Sequence, residues 1–153
     1  MSVFLAPLNS DKLVIFDPKT KALEGVDVTG IAPGERKFSG GCSVEDQVIL
    51  VPFDSDKLVT FDPKTNALDS VDVTGIARGY NKFSGACSVE GQVILVPKNS
   101  DKLVIFDPKT KALEGVDVTG IAPGDFSGCH WNRNRRFQIH RRMQRGGSSD
   151  PGS

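Results

Sequence analysis

The sequence has no long apolar run, no net charge and few aromatic side chains. Its 19 basic and 19 acidic residues cancel, which argues against a uniformly basic nucleic-acid binder and against an acidic solvating chain. No apolar stretch approaches the roughly 18 residues of a membrane span, and residues 1–7 lack the basic start of a secretory signal. Aromatic content of 7% is low for a compact core, yet the hydrophobic content of 38% is too high to indicate disorder.

Cysteine is also scarce. The three cysteines, Cys42, Cys87 and Cys129, are odd in number and form no CxxC motif, and no Asn-x-Ser/Thr sequon occurs. This pattern predicts buried free thiols that serve packing, and an intracellular, cytoplasmic location without membrane association.

The zero net charge conceals two unlike segments. Residues 1–128 carry 13 basic and 18 acidic side chains, a net charge of −5, whereas residues 129–153 carry six arginines and one aspartate, a net charge of +5. The two segments therefore need separate interpretations, as an acidic body and a basic tail.

The acidic body is an internal repeat with a period of 45 residues. The three units are 3–47, 48–92 and 93–128, and residues 9–34 are identical to residues 99–124. The register ends after Gly124, where two residues are missing before Phe126. A period of this length is typical of solenoids, propellers and other arrays of one supersecondary unit.

Each unit reads as four short strands joined by hairpins, with no sustained helical period. Strands such as 13–16 and 48–51 are apolar at every position, which indicates sheets covered on both faces. The sequence therefore predicts an all-β fold of stacked four-stranded antiparallel blades. We expect complete sets at about 38–74 and 83–119, three strands at 3–29, and the start of another inner strand at 126–129.

Two segments resemble known propeller blades. Residues 48–66, with the Asp-Pro-x-Thr-Asn turn at 62–66, are similar to YVTN-type repeats, and the small-residue strand at 38–41 is similar to the inner strand of those blades and of kelch-like blades. The resemblance implies an incomplete β-propeller, with a β-trefoil as the alternative fold. Because propellers close with about four to eight blades, it also implies self-association through open blade faces, or a fragment of a longer propeller.

The predicted recognition surface is the loop rim, formed by residues 30–37 and 75–82. These are the longest connections, they fall at one edge of the predicted blades, and loops on a rigid scaffold commonly carry binding residues. The candidate contacts for a protein or a small ligand are Arg36, Lys37, Arg78, Tyr80 and Lys82.

The basic tail suggests a different partner. Its arginines surround Phe137 and follow Trp131, a pattern that can bind phosphate backbones; an unrelated terminal sequence is the preferred interpretation, and nucleic acid is not the expected partner. The candidate residues are Arg133, Arg135, Arg136, Arg141, Arg142 and Arg145.

No residue pattern predicts catalysis, a metal or a cofactor. Asp54 and Asp56 are interpreted as turn-capping residues rather than as a Ca²⁺ loop, and His130 and His140 lie away from any recurring serine. The sequence thus favours a non-catalytic binding or scaffold module. The alternatives are a fragment of a propeller enzyme and an RNA-binding module that acts through the tail.

Overall fold

The computed structural model describes residues 1–130 and residue 132, and these residues form an all-β structure of eleven strands and no helix. Accordingly, no described segment is a helix long and apolar enough to cross a membrane. The strands are β1 (Val3–Leu5), β2 (Lys12–Phe16), β3 (Leu23–Asp27), β4 (Phe38–Val44), β5 (Gln47–Pro52), β6 (Lys57–Asp62), β7 (Ala67–Asp72), β8 (Phe83–Val89), β9 (Gln92–Pro97), β10 (Lys102–Asp107) and β11 (Ala112–Asp117).

The strands form three separate antiparallel sheets, each made of strands consecutive in the chain. Sheet 1 has the order β1-β2-β3, sheet 2 the order β4-β5-β6-β7, and sheet 3 the order β8-β9-β10-β11. Within the described residues no sheet closes into a barrel. The prediction of an all-β stack of antiparallel blades is therefore confirmed. The β-trefoil alternative is wrong, because strands of different sheets do not pair with one another to close a barrel among the described residues.

The continuous apolar strands bury both of their faces. In β5, Val48 and Leu50 point into a core shared with sheet 1, whereas Ile49 and Val51 point into a core shared with sheet 3. Side chains alternate between the two faces of a strand, so an uninterrupted apolar sequence is what a middle sheet requires. The two inter-sheet cores are the hydrophobic cores of the described structure.

Turn residues act as the sequence predicts. The Asp62 carboxylate accepts the Lys64 N–H at 2.9 Å, the contact expected of an Asx turn. Asn66, which follows this turn, has a left-handed φ of 59°. The equivalent turn before β11 repeats the contact, with Lys109 N–H donating to the Asp107 carboxylate at 2.9 Å.

Candidate binding rim

The two lysines of the loop rim fasten neighbouring sheets together. Lys82 precedes β8 but its ammonium group reaches back to sheet 2, where it donates to the carbonyls of Asp54 at 3.1 Å and Ser55 at 3.0 Å. Lys37 precedes β4 and donates to the Ser10 carbonyl at 2.9 Å in the same way. Both residues are fully buried, so neither offers surface to a ligand.

The charge of Lys82 is partly balanced by acidic neighbours. Its burial lowers the pKa of the ammonium group, and the nearby Asp56 and Asp54 carboxylates oppose that shift. The Asp56 carboxylate lies 3.7 Å from the ammonium nitrogen. Paired and hydrogen-bonded in this way, a lysine can stay buried at neutral pH.

Arg36 is the residue around which the exposed part of the rim is organised. Its guanidinium lies 5.0 Å from the centre of the Phe53 ring, its Nε donates to Asp54 at 3.1 Å, and its Nη2 donates to Asn81 at 2.5 Å. The side chain nevertheless remains 49% exposed. Three loops thus hold a half-exposed cation in a fixed orientation.

The carboxylate of Asp54 links the loops of successive units. Its other carboxylate oxygen accepts the Asn81 N–H at 2.8 Å, and Asn9, the equivalent residue one unit earlier, accepts the Arg36 N–H at 2.8 Å. Both donors have a left-handed φ, 52° at Arg36 and 54° at Asn81. In both cases a side-chain oxygen of a neighbouring loop accepts the backbone N–H of the residue in this conformation.

The remaining two rim candidates, Tyr80 and Arg78, are both exposed, but they differ in which of their groups take part in hydrogen bonds. Tyr80 is 75% exposed, and its backbone carbonyl accepts a hydrogen bond from the Asn99 side chain at 3.1 Å. Arg78 is exposed too, but its Nε donates to the Thr74 carbonyl at 2.8 Å. The structure therefore leaves Arg36, Arg78 and Tyr80 accessible on one edge.

Two residues of this edge, Phe53 and Asp54, lie outside the predicted rim, and Asn81 lies in its loop 75–82 but was not among the predicted contacts. The sequence predicts only a turn-capping role for Asp54, although the recurrence of a side-chain acceptor at positions 9, 54 and 99 is a signal of a shared structural contact. The ring of Phe53 had no such signal, because its equivalents are Leu8 and Lys98.

The opposite edge of sheets 2 and 3 has a cavity of about 310 Å³ beside the first hairpins. Lys64 and Asp46 form an exposed ion pair there, at 3.4 Å, and the buried Oε1 of Gln47 has no hydrogen-bond partner among the described residues. In the described part of the chain no three histidine, cysteine or acidic side chains converge in a way that could hold a metal ion.

The cysteines require a correction. Cys87 and Cys129 form a disulfide with a Cα–Cα distance of 6.1 Å, so the prediction of free thiols is wrong for this pair; spacing along the chain did not reveal that residue 129 returns to sheet 3. Cys42 is free, and burial raises the pKa of its thiol to about 11. Structural disulfides are typical of oxidising compartments, which favours such a compartment over the intracellular location that the sequence predicted.

The arginines proposed for nucleic-acid binding, Arg133 to Arg145, lie outside the described residues, so that interpretation stays a prediction. Of the two candidate sites, only the loop rim lies within the described residues.

Comparison with known proteins supports the fold. No protein-family model matches the chain, and no curated protein matches it. Among solved structures, it is similar to the extracellular domain of a putative one-component system from B. thetaiotaomicron, with a TM-score of 0.61 and 13% sequence identity. The match covers 85% of this chain but only 18% of that one, so the chain spans less than a fifth of its structural neighbour. At this identity the likeness concerns the fold alone.

Proposed function

We propose that this chain is a non-catalytic binding module built from β-propeller-type blades, and that it binds carboxylate-bearing ligands, such as acidic peptide segments, at the loop rim. The observation that carries the proposal is the arrangement of Arg36. Its guanidinium is stacked on Phe53 and hydrogen-bonded to Asp54 and Asn81, yet half of the side chain is exposed.

A guanidinium fixed in this way suits anion recognition. Arginine binds carboxylates through charge-assisted hydrogen bonds in a planar geometry. Because Arg36 is already oriented by its neighbours, a ligand would not have to immobilise it, and preorganisation lowers the cost of binding. The exposed ring of Tyr80, next to Asn81 in the chain, adds apolar contact area with a polar end, a combination common at interfaces.

The place of the module in the cell is part of the proposal. The Cys87–Cys129 disulfide and the extracellular-domain description of the structural neighbour support a secreted or extracytoplasmic setting. Disulfides form and persist in such environments.

The test uses the fact that Tyr80 is the sole tyrosine. Incorporating 3-fluorotyrosine places one ¹⁹F label on the rim. We expect a terminally blocked tetra-aspartate peptide to shift the single ¹⁹F resonance saturably, and a blocked tetralysine peptide to leave it unchanged.

Matched variants localise the effect. Arg36→Ala should abolish the shift, whereas Lys64→Ala, which removes an exposed cation at the opposite edge, should preserve it. Absence of a saturable shift in the unsubstituted protein, or equal loss in both variants, would refute binding at Arg36.

A further inference from the structure

The chain contains the same inter-sheet interface twice. We call the face of a sheet that packs on the following sheet its front face, and the opposite one its back face. Sheets 1 and 2 present equivalent front-face residues, namely Leu13, Val28 and Ala32 in sheet 1 and Leu58, Val73 and Ala77 in sheet 2. The back faces of sheets 2 and 3 are equivalent too, namely Phe38, Val48, Leu50, Val59 and Phe61 in sheet 2 and Phe83, Val93, Leu95, Val104 and Phe106 in sheet 3.

Both halves of a third such interface are present and uncovered. On the back face of sheet 1, Val3 and Leu5 are exposed although their equivalents in sheets 2 and 3 are buried, and Leu23 is 69% exposed. On the front side of sheet 3, Val116 is exposed and Ile121 is 91% exposed. The equivalents of Leu23, Val116 and Ile121 pack against the existing cores: Leu68 and Leu113, Val26 and Val71, and Ile31 and Ile76.

In the part of the chain that the structure describes, sheet 1 has one strand fewer than sheets 2 and 3. Sheets 2 and 3 begin with the inner strands β4 and β8, but sheet 1 begins with β1, which occupies the position of β5 and β9. Among the described residues, the free edge of β1 therefore has no pairing strand. An unpaired edge carries a row of backbone donors and acceptors that can template another strand.

The segment 126–129 has the sequence and position of the missing kind of strand. It repeats the Phe-Ser-Gly that opens β4 and β8. The Ser84 hydroxyl donates to the Phe126 carbonyl at 2.6 Å, as the Ser39 hydroxyl donates to the Phe83 carbonyl at 2.7 Å. This segment nevertheless belongs to none of the three sheets.

One chain cannot join these two parts to each other. Residues 126–129 are held against sheet 3 by the hydrogen bond from Phe126 N–H to the Pro97 carbonyl and by the Cys87–Cys129 disulfide. Sheet 1 packs on sheet 2, and sheet 2 on sheet 3, so β1 lies at the far end of the stack.

We propose that two copies of this chain associate head to tail into a closed ring of six sheets, and that residues 126–129 of each copy pair with β1 of the other. The front face of sheet 3 in one copy covers the back face of sheet 1 in the second copy. The disulfide ties the donated strand to the sheet beside which it must lie. This association is independent of ligand binding at the rim.

The number of copies follows from ring closure. Head-to-tail contacts produce rings when the rotation closes and filaments when it does not. Rings of this architecture hold about four to eight blades. With three sheets among the described residues of each chain, only two copies give a number of sheets within that range.

The existing sheets also predict the register of the new pairing. In sheet 2 the pairs are Phe38 with Pro52 and Gly40 with Val51, with a bulge between them. Subtracting one repeat from the β5 residues places Phe126 opposite Pro7, and Gly128 opposite Ala6, of the second copy.

A substitution at Gly128 tests the donated strand without touching the body. An added Cβ at Gly128 would meet no atom within 4 Å, and the same is true of Gly40 and Gly85, the equivalent residues inside β4 and β8. Light scattering at micromolar concentration should give twice the 16.5 kDa chain mass for the unsubstituted protein and for Gly128→Ala. Gly128→Pro, which removes the backbone N–H and restricts φ, should be monomeric with an unchanged far-UV spectrum.

A cross-link tests the register between copies. One preparation carries Ala6→Cys, a second carries Gly128→Cys, and the two are mixed under oxidising conditions. We expect a disulfide-linked dimer that contains one chain of each kind. The matched control replaces the second preparation with Gly30→Cys, at a glycine whose Cβ position is equally open, and should give no such dimer.

The results that overturn the proposal are equally definite. A monomeric unsubstituted protein, or open-ended assemblies larger than two chains, would refute the closed pair. A Gly128→Pro variant that stays dimeric, or a Gly30→Cys control that cross-links as efficiently as Gly128→Cys, would refute the role of residues 126–129.

Discussion

The buried lysine between sheets 2 and 3 makes a quantitative prediction about stability. Lys82→Met keeps most of the apolar stem of the side chain and removes the ammonium group. The carbonyls of Asp54 and Ser55 then lose their donors, and the Asp56 carboxylate loses its counter-ion. A net hydrogen bond to a charged group contributes about 1.5–3 kcal/mol, and breaking a buried charged contact by removing one partner costs about 3–5 kcal/mol. Because Asp56 is largely exposed and water can solvate it, we expect the lower figure, a loss of about 3 kcal/mol in the free energy of unfolding.

Urea denaturation measures this loss. With an m-value of about 2 kcal/mol per molar urea, the midpoint should fall by roughly 1.5 M while m stays constant. The matched control is Lys64→Met, which removes an ammonium from an exposed ion pair and should cost less than about 1 kcal/mol. Lys37→Met should lie between the two, since Lys37 makes one such hydrogen bond, to Ser10.

Two results would refute the reasoning. If Lys82→Met lowers the midpoint no more than Lys64→Met, the lysine does not fasten the two sheets. If Lys82→Met raises the midpoint, desolvation of the ammonium outweighs its hydrogen bonds, a balance known for some buried ion pairs that are replaced by apolar residues.

Three further predictions follow from the carboxylates and cysteines. Hydrogen bonds from Thr74 lower the pKa of Asp72 from 3.8, so the stabilisation from this pair is present above pH 3.8 and is lost as the pH falls through the lower folded-state pKa. In Thr74→Val, the free energy of unfolding should therefore fall less steeply as the pH is lowered through this range. An acid dependence equal to that of the unsubstituted protein would contradict the assignment. Because burial raises the thiol pKa of Cys42 to about 11, we expect iodoacetamide at pH 8 to label it far more slowly in the native protein than in urea, as followed by mass spectrometry; equal rates would show that the thiol is open. Reducing the Cys87–Cys129 disulfide, which spans 42 residues, should lower the free energy of unfolding by up to about 4 kcal/mol, measured by denaturation with and without reductant; no change would mean that residue 129 adds no constraint to the unfolded chain.

The sequence predicted the strands and their stacking well because that information is local and repeated. Apolar residues at every position of segments such as 48–51, bounded by Asp-Pro turns, specify both the strand and its burial on two faces. The equivalence of the units then predicts every sheet from one of them. The repeat did not predict the partner of Cys129, because Cys129, which contacts Cys87, lies beyond Gly124, where the repeat register ends.

The sequence predicted which loops form the rim, but it did not predict the contacts that their side chains make. Exposed loops with basic residues were identified, yet Lys37 and Lys82 are buried and fasten the sheets, while the surface contact belongs to Arg36. The local sequence around a lysine that precedes a strand does not reveal whether its side chain points outward or reaches back to the preceding sheet. That choice depends on carbonyls such as that of Ser55, which belong to another unit.

The identical segments 9–34 and 99–124 allow one sequence to be compared in two places of the same molecule. The same side chains occupy two environments, so that Leu13 is buried while Leu103 is half-buried, and Phe106 is buried while Phe16 is half-buried. The intrinsic rate of amide hydrogen exchange depends on the local sequence, so it must be the same at equivalent positions inside the two segments. Any difference in their exchange rates, resolved by NMR, therefore reports tertiary protection alone, without a reference peptide or a substitution.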